Sequence, residues 1–308
     1  MSFDSNYAAY LRKLEGALKA HDLIVESQRF EFTASALASA KAGDWNGAAV
    51  ELRDLLQQTL SGKLSASHEF LDHPYVRCID LTAQEQIFVA IVNNQSREWY
   101  GTETAISAFD FLLEDKRGLF QNCRRFLDLG GHQLVWTCFY ARRASDAQVV
   151  SYEPSILNVV IGLFNCLVNG VVERVDVVPF AVLASNATPG DGDEAKMLVD
   201  YMTVPLRARC IDERADGLFD FIKTDIEGYE FELLNDPVYL NLVKHAQTTC
   251  LELHLGHLVG RGVNLQQWVE RLQAANIHGT ELHSEVEMYE FLGNCDPNGF
   301  HCVLVKAV

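Results

Sequence analysis

Two segments, Phe126-Leu-Asp-Leu-Gly-Gly131 and Phe221-Ile-Lys-Thr-Asp-Ile-Glu-Gly228, constrain the fold more than anything else in the chain. Each reads as a short buried strand that stops abruptly in glycine or acid, and Ser151-Tyr-Glu-Pro154 between them does the same. In an open α/β sheet the ligand lies outside the carboxyl ends of the strands, so glycines and carboxylates there mark a site and not a core.

From Arg125 onward, short β-branched runs alternate with helical stretches. Strands are predicted at 126–129, 148–152, 175–179, 219–224, 248–253 and 302–305, with a helix over 156–169 carrying Leu157, Ile161, Phe164 and Val168 on one face. That alternation predicts βαβ units and a doubly wound, largely parallel sheet of the Rossmann-like α/β class. The first part of the chain reads as helical instead. Tyr7, Leu11, Leu14 and Leu18 recur at helical spacing, 34–60 forms a second helical region broken near Gly43 to Gly47, and 83–93 and 102–114 continue the pattern. The expected organisation is a helical cap or oligomerisation region over 1–120 and a catalytic domain over 121–308.

Composition narrows the partners. Lys and Arg number 25 against 42 Asp and Glu, and the net charge of −17 repels nucleic-acid phosphates and anionic membrane surfaces. A small molecule or a neutral sugar is the easier ligand. No apolar run approaches the roughly 18 residues of a membrane span. The start Met-Ser-Phe-Asp-Ser-Asn lacks the basic and apolar regions of a secretory signal, so a cytoplasmic location is expected. The eight cysteines have no zinc-type spacing and read as small reduced hydrophobes.

A tight strand-to-helix turn such as Asp128-Leu-Gly-Gly131 needs residues without side-chain obstruction, so that backbone amides can approach a ligand. The following strand ends at Glu153, where an acid can accept hydrogen bonds from the two hydroxyls of a ribose, or stand as a solvated strand-end carboxylate.

These residues, followed by Asn158, Asn165, Asn169-Gly170, Phe180-Ala-Val182, Asp220-Phe-Ile-Lys-Thr-Asp-Ile-Glu-Gly-Tyr-Glu230 and Leu251-Glu-Leu-His254, resemble the FkbM family of class I S-adenosylmethionine-dependent methyltransferases. The resemblance covers about residues 98 to 305, and the Ile-Lys-x-Asp-Ile-Glu-Gly-x-Glu stretch is its most specific element. It implies O-methylation of a natural product, small metabolite or sugar. Asp128, Gly130 and Gly131 would contact the methionine part of S-adenosylmethionine, Glu153 its ribose, and Pro154, Ser155, Phe180 and Ala181 its adenine. One departure stands out: the family carries a glycine three residues after Gly131, and here that residue is Leu134.

Methyl transfer from a sulfonium needs in-line positioning plus a base or metal that makes a hydroxyl more nucleophilic. Asp225 ends the fourth strand, and Glu252 and His254 end the next at a spacing that sends both side chains to one face. Asp225, Glu252 and His254 are therefore the expected catalytic residues. They could hold Mg2+ against the acceptor oxygen, or His254 could act as a simple general base. Glu227 and Glu230 are equally explained as acids favoured at a helix start, and Lys223 as an inward lysine paired to an acid.

Weaker signals remain. His257, Arg261, His278, His283 and His301 are scattered and read as surface. The acidic stretch 186–194 reads as a loop that could close over a cofactor, while Trp99, Tyr100 and Glu103 either line the pocket mouth or pack together. Two competing functions are a nicotinamide-dependent oxidoreductase, opposed by the absent G-x-G-x-x-G fingerprint, and a non-catalytic binding or assembly protein whose N-terminal helices form a homo-oligomer.

Overall fold

A computed structural model describes residues 2–23, 31–60, 69–80, 86–102, 118–120, 122–185, 187, 208–211, 218–260, 262, 264–274, 276–281, 286–294 and 300–306. The chain opens with α1 (Phe3–Ala20), started by Ser2, whose side chain accepts the Ser5 amide. Two further helices follow, α2 (Ala34–Lys41) and α3 (Asn46–Leu60). The break between them falls at Gly43, whose φ of 90° is left-handed. Next come an antiparallel pair, β1 (Phe70–Asp80) and β2 (Gln86–Asn93), and the short helix α4 (Asn94–Tyr100).

The second half brings the expected strands, the first of them separated by helices: β3 (Arg125–Leu129), α5 (Val135–Arg143), β4 (Gln148–Tyr152), α6 (Ile156–Val168), β5 (Val175–Val178), then β6 (Ala181–Leu183) and β7 (Ala208–Cys210), a separate parallel pair beyond the predicted strands, and β8 (Phe221–Thr224). It continues through α7 (Glu230–Leu233), α8 (Pro237–His245), β9 (Thr248–His254), α9 (Leu255–Gly260), α10 (Leu265–Ala274), β10 (His278–Glu281), α11 (Met288–Asn294) and β11 (Phe300–Lys306). Among the described residues the main sheet has the order β10-β11-β9-β8-β3-β4-β5. Its five strands from β9 to β5 are parallel, and β11 runs antiparallel to both β9 and β10. Strand order reverses at β3, between β8 on one side and β4 on the other. This is the switch point where a doubly wound sheet opens a crevice at its carboxyl edge.

The helix α6 explains the N-terminal region. Every residue from Ile156 to Leu167 is buried, and a helix that is apolar all round cannot be left with one face in water. One side packs on the sheet; α1 and α3 cover the other. Phe32 and Trp45 meet Phe164 edge to face at centroid separations of 5.7 and 6.0 Å. One hydrophobic cluster therefore runs from α1 through α6 to β3 and β4.

The expectation of a helix over 83–93 is overturned, because residues 86–93 form β2. The run Ile87-Phe-Val-Ala-Ile-Val92 is rich in β-branched residues, whose stiff side chains favour a pleated surface. Its edge amides are also satisfied from the side: Asn165 Oδ1 accepts the Ala90 amide at 2.8 Å and Asn169 Oδ1 that of Phe88 at 3.0 Å. Of the stretch 102–114, all but Thr102 lies outside the described residues, as does all but one residue of the loop expected at 186–194. No helix among the described residues is long and apolar enough to cross a membrane.

Candidate active site

At the end of β3 the chain turns sharply through Gly130, at φ 83°, and His132 and Leu134, at φ 48° and 56°. The amides of Gly130 and Gly131 both donate to the Tyr152 carbonyl, at 3.0 and 2.9 Å. They are therefore already engaged, and the glycines have another purpose. A Cβ on Gly130 would lie 1.6 Å from the Asp225 carbonyl oxygen, and one on Gly131 would lie 2.2 Å from Ser151 Oγ. The pair allows the turn to press against the ends of β4 and β8, which brings three strand ends together. Leu134 is fully buried and points into α6, where a Cβ on Gly162 would lie 2.3 Å from its Cγ. The leucine thus leaves the outer face of the turn open.

Asp128 is fully buried one residue before the end of β3. Its Oδ2 accepts the Thr137 hydroxyl at 2.6 Å, and its Oδ1 lies 3.7 Å from Lys223 Nζ without a hydrogen bond. Burial pushes its pKa up, against the opposing pull of Lys223. Glu153 follows β4, with Oε2 accepting the His132 amide at 2.8 Å and Oε1 the Ser155 amide at 2.8 Å. Burial lifts this carboxyl to about 7 despite those bonds. Pro154 is half-buried beside it, and Ser155 caps α6. Phe180 and Ala181 are half-buried just past the end of β5, the next strand along the same edge.

The other side of the crevice is acidic. His254, at the end of β9, has Nδ1 3.0 Å from Glu230 Oε1, and its Nε2 lies 3.4 Å from Glu227 and 3.9 Å from both Asp225 and Glu252. Burial would lower the imidazole pKa, but the Glu230 hydrogen bond and the surrounding carboxylates outweigh it and raise it to about 9. Glu252 is raised to about 7 by burial and by the Asp225 charge. Lys223 is buried beneath them, 3.1 Å from Asp225, and donates to the Gly130 carbonyl at 3.3 Å. Those acids hold it protonated although burial opposes it. The expected trio of Asp225, Glu252 and His254 is therefore brought together, with Lys223 as the inward, paired lysine.

Two acids have larger parts than helix capping. Glu227 stands in a left-handed turn at φ 56°, three residues before α7. One ligand atom each from Asp225, Glu227 and His254 lie within 4.8 Å of one another, a set that could hold a metal ion. Glu230 is fully buried, and its Oε1 accepts both the Ile226 amide at 3.0 Å and the His254 contact. The available signal was a charge between aromatics, Tyr229-Glu-Phe231, at a position too apolar for a solvated cap.

Tyr100 is buried at the end of α4, with its hydroxyl 2.7 Å from His132 Nδ1. Trp99 is 48% exposed, with its indole edge-on to the same imidazole at 6.4 Å. The two aromatics thus meet on His132, while Glu103 lies outside the described residues. His278 is exposed on the edge strand β10, remote from the crevice. Arg261 and His283, and the side chains of His257 and His301, lie outside the described residues.

No curated relative matches the chain. Similar solved structures include a putative O-methyltransferase from Klebsiella pneumoniae, 15% identical over 66% of this chain and 81% of that one, with a TM-score of 0.38. Others are an O-methyltransferase from Bacillus cereus in complex with SAH (17%, 63% and 77%, TM-score 0.35) and the O-methyltransferase TomG from Streptomyces achromogenes, in complex with SAM (13%, 68% and 85%, TM-score 0.39). The profile of the methyltransferase FkbM domain matches residues 126–293, more than half of the chain and all of the strand ends described above, so the chain belongs to the FkbM methyltransferase family.

Proposed function

We propose that this FkbM-family methyltransferase moves a methyl group from S-adenosylmethionine to a hydroxyl of a small metabolite, natural product or sugar. The observation that carries the reading is the convergence of Asp225, Glu252 and His254 beside the glycine turn, with His254 Nε2 3.9 Å from a carboxylate oxygen of each acid. The site fits the cofactor chemically. A sulfonium with a free amino group is cationic, and the crevice offers more carboxylates than cations, including the buried Asp128 Oδ1 that lacks a hydrogen bond. In this reading Asp128 and the Gly130-Gly131 turn face the methionine part. Glu153, oriented by two backbone amides, takes the ribose, and Pro154, Ser155, Phe180 and Ala181 border the adenine.

When bound, S-adenosylmethionine would supply an electrophilic methyl group for a positioned oxygen to take, with the sulfur of S-adenosylhomocysteine as the leaving group. Glu252, with its carboxyl near 7, is suited to accept the acceptor's proton at neutral pH, since a base works best when its pKa lies near the working pH. His254 is then an imidazolium that holds Asp225, Glu227 and Glu252 in place rather than the resting base. A divalent cation such as Mg2+ is a second reading, supported by the mutual approach of Asp225, Glu227 and His254; Glu227 in place of Glu252 completes that set. In either case residues 121–308 form the catalytic domain and 1–120 a cap upon it.

Calorimetric titration with S-adenosylmethionine, once with magnesium and once with chelator, tests the reading. Micromolar binding is expected. No binding in either condition overturns the active methyltransferase, and binding that needs magnesium favours the cation. Full transfer activity in both His254→Ala and Asp225→Asn would remove these residues from acceptor activation.

A further inference from the structure

We propose that the N-terminal region is a clamp that sets the position of the cofactor loops, with His21 and Tyr100, and Asn165 of the helix it docks on, as positioning residues. The inference rests on the reading that S-adenosylmethionine lies along the carboxyl edge of the sheet.

Three polar contacts join the N-terminal region to that edge, and each ends on an irregular segment just beyond a strand. His21, the residue that ends α1, is buried with Nε2 2.9 Å from the Pro179 carbonyl oxygen, and its ring is stacked at 6.5 Å on Phe180. A carbonyl only accepts, so Nε2 carries the proton in this contact. Tyr100, the last residue of α4, meets His132 in the glycine turn, and the His132 amide in turn donates to Glu153. Asn165 of α6 uses both ends of its amide: Oδ1 accepts from Ala90 of β2 and Nδ2 donates to the Gln133 carbonyl at 2.9 Å.

The contacts bracket the proposed cofactor from end to end. His21 acts beyond β5, where the adenine would lie. Tyr100 and Asn165 act on residues 132–133, where the methionine part would lie. Segments of this kind have no ladder of their own, so their position follows from what they touch. Three independent anchors on two such loops, all drawn from the N-terminal region or its docking helix, are more than covering an apolar helix requires. The anchors act through Phe180, His132 and Gln133 and touch no reacting atom themselves.

The test uses the full chain with S-adenosylhomocysteine and with 5′-methylthioadenosine, which lacks the amino-acid tail, by calorimetry. Thermal unfolding is measured in parallel. His21→Ala is expected to weaken both ligands about tenfold, the equivalent of one hydrogen bond, with His21→Gln restoring affinity because its amide can donate from the same place. Tyr100→Phe is expected to weaken both ligands, S-adenosylhomocysteine by about five- to tenfold, because the His132 it holds borders the methionine part and donates its amide to Glu153 at the ribose that both ligands carry. Wild-type affinity in all variants, or losses that only track a lowered unfolding midpoint, would overturn the clamp and leave the methyltransferase reading standing. A wild-type chain that binds neither ligand overturns that reading, and the clamp with it.

Discussion

Leu134 sits in the space left by Gly162: the side chain that replaces the usual glycine of the turn fills a notch on α6 that only another glycine can provide. The left-handed backbone at Leu134 is strained, and burial of the side chain against α6 offsets that strain. The departure from the family pattern is thus compensated across the turn–helix contact and does not intrude on the crevice.

Gly162→Ala should therefore destabilise the chain by about 1–3 kcal/mol, because the buried leucine cannot move away freely. Leu134→Gly relieves about 1 kcal/mol of backbone strain but leaves a cavity worth about 2–5 kcal/mol, so it too should destabilise. Chemical denaturation of the two variants measures both effects; an unchanged midpoint for Gly162→Ala would refute the packing argument.

Stability should fall as pH rises. Glu153 and Glu252 hold their protons to about 7 in the folded state against an ordinary 4.5, and His254 to about 9 against 6.5. All three values are raised, so the stability they contribute is complete below the ordinary values and lost as pH passes through the folded ones. Unfolding midpoints without ligand should decline between pH 5 and 9. In His254→Gln the decline above pH 7 should flatten.

Glu230→Gln should lower the His254 pKa from about 9 toward 6.5, since it removes the hydrogen-bonded carboxylate that does most to raise it. An NMR titration of the imidazole reads this directly. A titration unmoved by the substitution would assign the shift to Glu227 and Asp225 instead.

Lys223→Met should be among the most disruptive single changes, costing about 3–5 kcal/mol, because it leaves the buried Asp128 and its neighbour Asp225 without their shared cation. Urea denaturation at neutral pH tests it. Repeating it near pH 4 should show a smaller loss, as burial raises the pKa of Asp128 and its carboxyl is then more nearly neutral.

Asn169→Ala removes two bonds to the backbone of Phe88, at 3.0 and 2.7 Å. Hydrogen exchange at the Phe88 amide should accelerate well before global unfolding. Protection equal to wild type would mean that the pairing with β1 and the Asn165 bond to Ala90 hold β2 without Asn169.

Much of the fold is legible locally. Strands β3, β4 and β8 announce themselves as apolar runs ending in glycine or acid, because a parallel strand buried on both faces leaves polar chemistry only at its carboxyl end, whereas the short pair β6 and β7 carries no such signal. The β2 strand is not legible in this way: a short apolar run reads equally as helix or strand, and its partners are distant in the chain, β1 on one edge and Asn165 and the α6 cap Asn169 on the other. The same limit applies to the site. Asp225, Glu252 and His254 could be chosen from their strand-end spacing, but Glu230 and His132 acquire their parts only through Tyr100, Glu153 and His254, which distant segments supply.

By itself, then, the sequence determined the parallel sheet, the places where acids and glycines gather, and the family. Periodicity and strand-end chemistry are local properties that survive without knowledge of the fold. Tertiary structure alone decided that His254 is an imidazolium ringed by four acids, that Leu134 faces α6, and that the N-terminal region grips the loops at the sheet's edge. Each of these depends on the distance between groups far apart in the chain, and both burial and charge interaction take their size from that distance.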